Sequence, residues 1–519
     1  MMGFVLRSGW HRVTEAEYFA LTAACDALLC APPVTPERVA VPWLHVLSEH
    51  PNNLSQYKWV FDRPGLPAKA RRNLRHSLGI ARTLASGIAR TLARSLWSPG
   101  NNLAPGPVQF PAQVDMLIIS HLVSAQAGPE STDFYYGRLP EELASRGLSS
   151  LVALQDHVPN ADRSFRERLT RGGVMSRVVL PRWSTWNQER RMVRGARRVA
   201  SVLLKESLAA QTPLQRAVAL EAAHHAATGS TIASLRLHEA VKRLCARFRP
   251  RALMVTWEGH AWERLAFHAA RSVDPAVRCI GYQHTILFPR SHALKRSLGE
   301  GYDPDVILTV GDVTRDVLRT AEGLRGMPVI TYGSHRRVAA AVQRASDAST
   351  RCLVIPEGIE SECLALFDFA LSAAVHMPDM QFVLRMHPVL PFDGLARRHP
   401  RFRALPANVR VSNHADITTD FAQCDWALYR GSSAAVHAVL AGVRPMYVER
   451  PGELPIDPLF ALDGWRRHVA TVEALAAVVA VDRAATSEDR RREWEPARAF
   501  CGRYVVPPNP EVVCGLLTD

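Results

Sequence analysis

The chain has 519 residues, of which 47% are hydrophobic and 22% charged, and carries a net charge of +14. Its length excludes a single ordinary core, so two or more domains are expected. With no apolar run of about 18 residues, a transmembrane helix is excluded.

Residues 1–7 hold too short an apolar stretch for a signal peptide, and a cytoplasmic location is the default expectation. Nine cysteines are scattered without a CxxC pair or zinc spacing, which predicts reduced, mostly buried thiols. The basic excess is almost all arginine, with only five lysines. A basic balance suits nucleic acid, an anionic membrane or an acidic sugar. No zinc-finger spacing or RNP signature occurs and aromatics are only 7%, so nucleic acid is not an expected partner.

In chain order, residues 1–112 read as an N-terminal extension. Residues 43–51 are a short helical piece that stops at Pro51. Residues 63–114 contain no Asp or Glu. Within them Leu74, Leu78, Ala81, Leu84, Ile88, Leu92 and Leu96 recur at helical spacing, and the five residues 80–84 repeat at 88–92. This predicts a basic amphipathic helix over about 68–97. It either packs on the body with a solvated arginine face or meets an anionic membrane surface, where each Arg contributes about 1 kcal/mol. A peripheral place at the inner face of the plasma membrane is the second of these expectations. A Pro- and Gly-rich linker, 99–112, follows.

Apolar strand candidates then alternate with helical stretches. Residues 115–120, 150–154, 252–256, 277–282 and 306–310 form a first set, with helices at 190–208 and 214–247. Residues 328–331, 351–355, 381–385, 408–411, 425–429 and 444–448 form a second, with a helix at 361–376 and a polar final helix at 488–504. Alternation of this kind means parallel strands joined by crossover helices. The fold class is α/β, with two Rossmann-like doubly wound domains at 113–325 and 326–485 facing a cleft, and a C-terminal helix and tail at 486–519. Neither half has a GxGxxG after its first strand, so no nicotinamide or flavin cofactor is expected.

Chemistry-bearing residues gather at strand ends, where open parallel sheets bind ligands. In the second half these are Pro356-Glu357-Gly358, Arg385-Met386-His387-Pro388 and Arg430-Gly431-Ser432-Ser433. Arg385, His387, Gly431, Ser432 and Ser433 are the expected phosphate contacts, because a cation, an imidazole and a helix start suit an anion. Alternatively His387 caps local carbonyls and a serine caps the helix. Glu357 is either a base or ribose ligand, or a carboxylate favoured by a helix dipole. In the first half His121, Glu258, Glu263 and His284 follow strands, and Asp133 lies in a loop. They form an expected wall for acceptor or sugar. Asp303-Pro304-Asp305 mimics a metal-binding DxD but sits where a turn leads into a strand, and no metal is expected.

Taken together, Glu357-Gly358, His387-Pro388 and Ser432-Ser433 resemble the Glu/Asp-Gly, His-Pro and Ser-Ser motifs of bacterial sialyl- and polysialyltransferases. Related motifs occur in capsule Kdo transferases. The first half is similar to bacterial surface-carbohydrate biosynthesis proteins at residues 115–122, 257–263 and 281–284. This resemblance, over roughly 113–460, implies the GT-B fold and metal-independent transfer of an acidic sugar (a nonulosonate or Kdo) from a CMP-sugar donor to a surface polysaccharide or lipid-linked glycan. It also implies that Glu357 acts as base, that His387 contacts phosphate or acts as acid, and that Ser432 and Ser433 contact the nucleotide phosphate. One position departs: the family has two acidic residues before the glycine, and Pro356 stands at the first. The base therefore stays open among Glu357, Glu258 and His284. Other readings are a CDP-glycerol-type polyol-phosphate transferase, a nucleotide-sugar epimerase, and a non-catalytic scaffold of a membrane polysaccharide assembly.

Overall fold

The computed structural model describes residues 13–48, 60–61, 112–124, 127–128, 131–158, 165, 169, 176–182, 184–335, 350–387 and 389–518. The expected basic helix at 68–97 lies outside the described residues.

Seven parallel strands form the first sheet: β1 (Met116–Leu122), β2 (Ser150–Asp156), β3 (Arg177–Val179), β4 (Ala252–Thr256), β5 (Arg278–Gln283), β6 (Val306–Thr309) and β7 (Val329–Thr331). Their order is β3-β2-β1-β4-β5-β6-β7. Six more form the second: β8 (Arg351–Ile355), β9 (Gln381–Leu384), β10 (Val409–Val411), β11 (Trp426–Tyr429), β12 (Arg444–Val448) and β13 (Arg467–Val469), in the order β10-β9-β8-β11-β12-β13. The central strands are buried along their length, as strands covered by helices on both faces must be. The expected two doubly wound, Rossmann-like domains are present.

Boundaries differ at several points. β7, expected to open the second set, is the edge strand of the first sheet, paired through Ile307↔Val329. β3 and β13 carried no signal, because each is a three-residue edge strand. The helix expected over 214–247 is two helices, Pro213–Ala226 and Gly229–Phe248. The hydroxyls of Thr228 and Thr231 both donate to the His225 carbonyl, at 2.7 and 2.8 Å. They satisfy the first helix's last turn and so end it.

The N-terminal helix Glu15–Leu29 opens on a capping box between Thr14 and Glu17. It packs with helices Trp186–Ala209 and Pro213–Ala226 in one apolar cluster. After the second domain the chain returns to the first. Val506 donates to the Val310 carbonyl at 3.0 Å, and Val513 and Leu517 of helix Pro510–Thr518 enter the first domain's core.

Candidate active site

In the second sheet β8 lies between β9 and β11, with Val354 beside Leu384 and Ile355 beside Tyr429. Three C-terminal strand ends are therefore neighbours, and the three motifs follow them directly. Two glycines make the convergence possible. A Cβ on Gly358 would stand 3.0 Å from His387 Cε1, and one on Gly431 would stand 2.5 Å from Glu357 Oε2. Any larger residue would push the imidazole or the carboxylate away. Glu357, His387 and Gly431 are thus brought together.

His387 is half-buried, and burial lowers its pKa. The Val389 N–H donates to its Nδ1 at 3.4 Å. That assigns the remaining proton to Nε2, making the neutral ring a hydrogen-bond donor at that atom. Ser433 is the N-cap residue of helix Ala434–Leu440 but has φ −62° and ψ −16° and makes no side-chain cap bond. Ser433 is exposed and Ser432 buried. The capping role open to Ser433 in the sequence is not the one it takes here.

The two arginines behave differently from the histidine. Arg385, expected at a phosphate, is turned to the loop after β10. It donates to Asp420 Oδ2 at 2.8 Å and to the carbonyls of His414 and Ala415 at 2.5 and 2.9 Å. Arg430 is buried and donates to Glu362 at 2.7 Å, Glu453 at 2.9 Å and the Val448 carbonyl at 2.8 Å. A low-dielectric site makes a carboxylate partner nearly obligatory for a guanidinium, and the rigid fork favours several fixed acceptors.

The first sheet sets β1, β4 and β5 side by side, and His121, Glu258 and His284 sit at or just after their ends. His121 Nδ1 is 2.9 Å from His157 Nε2. Its ring meets Tyr135 at 5.3 Å and Trp262 at 5.2 Å, both edge-on, and Tyr135 in turn meets the His284 ring at 4.6 Å. Asp133 lines a cavity beside this wall and also shapes the wall. Its Oδ1 accepts from the N–H groups of Tyr135 and Tyr136 at 2.8 and 2.9 Å, which fixes the loop that presents Tyr135. The cavity, of about 490 Å³, opens at this array and is lined by His121, Asp133, Tyr135, Leu169, Arg177 and His335 among others.

Glu263 lies beneath the wall rather than on it. It is fully buried and accepts from the N–H groups of Glu258 and His260, both at 2.9 Å, in the capping box of helix Ala261–Arg271. Burial pushes its carboxyl up to about 7, against the pull of His260 and with the push of Glu258. Glu258 goes the other way. Burial opposes its ionisation, yet the His260 hydrogen bond at 3.2 Å and the fields of His284, His260 and His121 hold it at about 2. Its side chain keeps 36% exposure, so water shares in that stabilisation. A carboxylate so acidic is a weak proton acceptor, and it is better placed to hold positive charge on a neighbouring imidazole. Burial, then the fields of His157 and His284, push His121 down to about 4.

The two walls adjoin through the loop after β5. Two residues beyond His284, Ile286 and then Phe288 pack against the second domain's cluster, which includes Ile355, Tyr429 and Ala434. Sequence reasoning missed His157. It directly follows β2, which runs to Asp156 rather than ending at Leu154, and the same strand-end rule finds it. Asp303 and Asp305 are tied into the fold: Asp303 accepts from Arg264, and Asp305 accepts from the Cys279 N–H at 2.6 Å. Among the described residues no group of three His, Cys, Asp or Glu is placed to hold a metal ion.

No protein-family model matches this chain, and no curated protein matches it either. Solved structures similar to it include the glycotransferase of kitacinnamycin, at 15% identity and a TM-score of 0.44, covering 78% of this chain and all of that one. The MurG of Acinetobacter baumannii has 11% identity and a TM-score of 0.43, covering 78% and 98%. The UDP-GlcNAc 2-epimerase of Neisseria meningitidis, bound to UDP-GlcNAc, has 11% identity and a TM-score of 0.42, covering 78% and 99%. The fold class rests on the two sheets themselves.

Proposed function

We propose that the chain is a glycosyltransferase that moves an acidic sugar, a nonulosonate or Kdo, from a CMP-sugar to a surface polysaccharide or lipid-linked glycan. The observation that carries this reading is the meeting of three short motifs at adjacent strand ends, with Gly358 against the His387 ring and Gly431 against the Glu357 carboxylate. That cluster offers an imidazole N–H and two hydroxyls at an uncapped helix start, which is chemistry for a phosphate.

In the proposed reaction an acceptor hydroxyl oxygen forms a bond to the anomeric carbon while the bond from that carbon to the CMP phosphate oxygen breaks. The electron pair leaves with CMP, whose charge is met by His387 Nε2–H, Ser432 and Ser433. The acceptor proton passes to a base. With Glu258 held at about 2, Glu357 and His284 are the better placed of the three base candidates. Glu258 then steadies positive charge on the imidazole array. The proposed chemistry needs no metal ion or organic cofactor. Arg385 and Arg430 hold the strand ends in place and take no direct part.

The test is release of CMP from CMP-sialic acid and CMP-Kdo, with CDP-glycerol, UDP-GlcNAc and their products run alongside. Turnover of a CMP-sugar in the presence of an anionic or lipid-linked glycan supports the reading. Turnover confined to CDP-glycerol or UDP-GlcNAc overturns the donor assignment.

A further inference from the structure

Helix Trp186–Ala209 has two unlike faces. Its inner face, including Met192, Ala196, Val199 and Leu203, is buried with the N-terminal helices and Val60. Both of its carboxylates are also engaged on the protein: Glu189 is buried and paired with Arg236 at 2.7 Å, and Glu206 is paired with Arg38 at 2.6 Å. The outer face carries Arg190, Arg191, Arg194, Arg197, Arg198 and Lys205, all exposed, and no exposed acid. Two acids from other helices come near the row: Glu37 packs against Gly195, and Glu239, on the next helix but one, faces Arg191 but already has His238 and Lys242 beside it.

Apolar side chains stand among these cations. Trp186 is 40% exposed at the helix start, and Val202, Leu204 and Leu208 are 40, 46 and 76% exposed near its end. At 100° per residue, Arg190, Arg194, Arg197, Leu204, Lys205 and Leu208 fall within about a third of a turn of one another. Water gives no reason for three aliphatic side chains to share an outer face with six cations. An anionic bilayer surface does: cations meet headgroup phosphates, leucines reach the acyl boundary, and a Trp ring sits at the interface.

We infer that the outer face of helix Trp186–Ala209 docks the protein on an anionic lipid surface. A nucleic acid is the weaker partner, because a phosphodiester backbone satisfies the arginines and leaves Leu204 and Leu208 in water. This inference does not depend on the proposed sugar transfer.

The test is flotation of the full chain with vesicles of one part phosphatidylglycerol to two parts phosphatidylcholine. Its variants are confined to this helix, so that any affinity of residues 68–97 is common to all. Binding is expected to fall with salt. The variant Arg190→Gln/Arg194→Gln/Arg197→Gln is expected to weaken partition about 100-fold, roughly fivefold per cation. Leu204→Ser/Leu208→Ser is expected to weaken it about tenfold while leaving the salt dependence. Melting curves confirm that both variants fold. Parent-like binding by either folded variant overturns the proposal. So does loss of oligonucleotide binding in the charge variant together with no effect of the leucine changes on vesicles, which would make the face a general polyanion site.

Discussion

The two domains place chemistry at equivalent strand ends by different means. In the second domain, glycine lets whole groups approach: His387 lies on Gly358 and Glu357 on Gly431. In the first domain, ring contacts and fields do the work, linking His121, His157, Tyr135, His284 and Glu258, and the proton affinities of His121, His157 and Glu258 are all lowered. The difference teaches that charge near a site is a poor guide to its role. The two arginines of the second-domain motifs are paired with carboxylates, while His387 is half-buried and Ser433 exposed.

The sharpest way to break this comparison is Arg430→Met. It takes the Arg430 guanidinium from Glu362, itself 4% exposed, and from Glu453, which keeps Arg450 at 2.9 Å, and is expected to destabilise the fold by about 3–5 kcal/mol in urea unfolding. A fold of normal stability with lost nucleotide affinity would instead make Arg430 a ligand contact. Next, Gly431→Ala drives a Cβ into the Glu357 carboxylate, at a cost of about 1–3 kcal/mol. If that contact is the cause, adding Glu357→Ala recovers most of the loss; no recovery points to a backbone effect.

On the first-domain side, pH separates the two mechanisms. An unfolded His121 takes a proton near 6.5, whereas the folded ring resists until about 4. The stability this group contributes is therefore full above about 6.5 and falls as pH drops through that window. His121→Asn is expected to flatten that part of the stability profile by about 1 kcal/mol after solvent screening. Glu263, raised to about 7, acts with the opposite sign in both proteins and cancels in the difference. An unchanged slope would show that His121 is not held neutral by its neighbours. The smallest effect on stability is at Ser433. An N-cap Ser→Ala change ordinarily costs about 1 kcal/mol, but Ser433 makes no cap bond. Ser433→Ala is expected to leave the melting temperature unchanged and weaken nucleotide binding by about tenfold, the loss of one hydrogen bond to a charged phosphate.

Much of the fold was legible because parallel strands buried on both faces write continuous apolar runs, so 252–256, 351–355 and 444–448 match β4, β8 and β12 residue for residue. The edge strands β3 and β13 were not, since three residues leave no pattern. β7 was seen but assigned to the wrong sheet, because pairing is decided by neighbours far along the chain. At the site, order along the chain found Glu357, His387 and Ser432-Ser433, and the strand-end rule found His121, Glu258 and His284. What sequence could not give was direction. Arg385 and His387 are two residues apart, yet one points to Asp420 and the other lies on Gly358. Glu263 carries the right chemistry for a wall, but a capping box claims its carboxylate, whereas Asp133 gives one oxygen to a tight loop and still lines the cavity.

The most direct test of the central claim is calorimetric titration of CMP, CDP, UDP and GDP into the protein and into His387→Gln. The account predicts selective binding of cytidine nucleotides, weakened about tenfold in the variant through loss of one charge-assisted hydrogen bond, with an unchanged melting temperature. Equal or tighter binding of UDP or GDP, or affinity indifferent to His387, would contradict it.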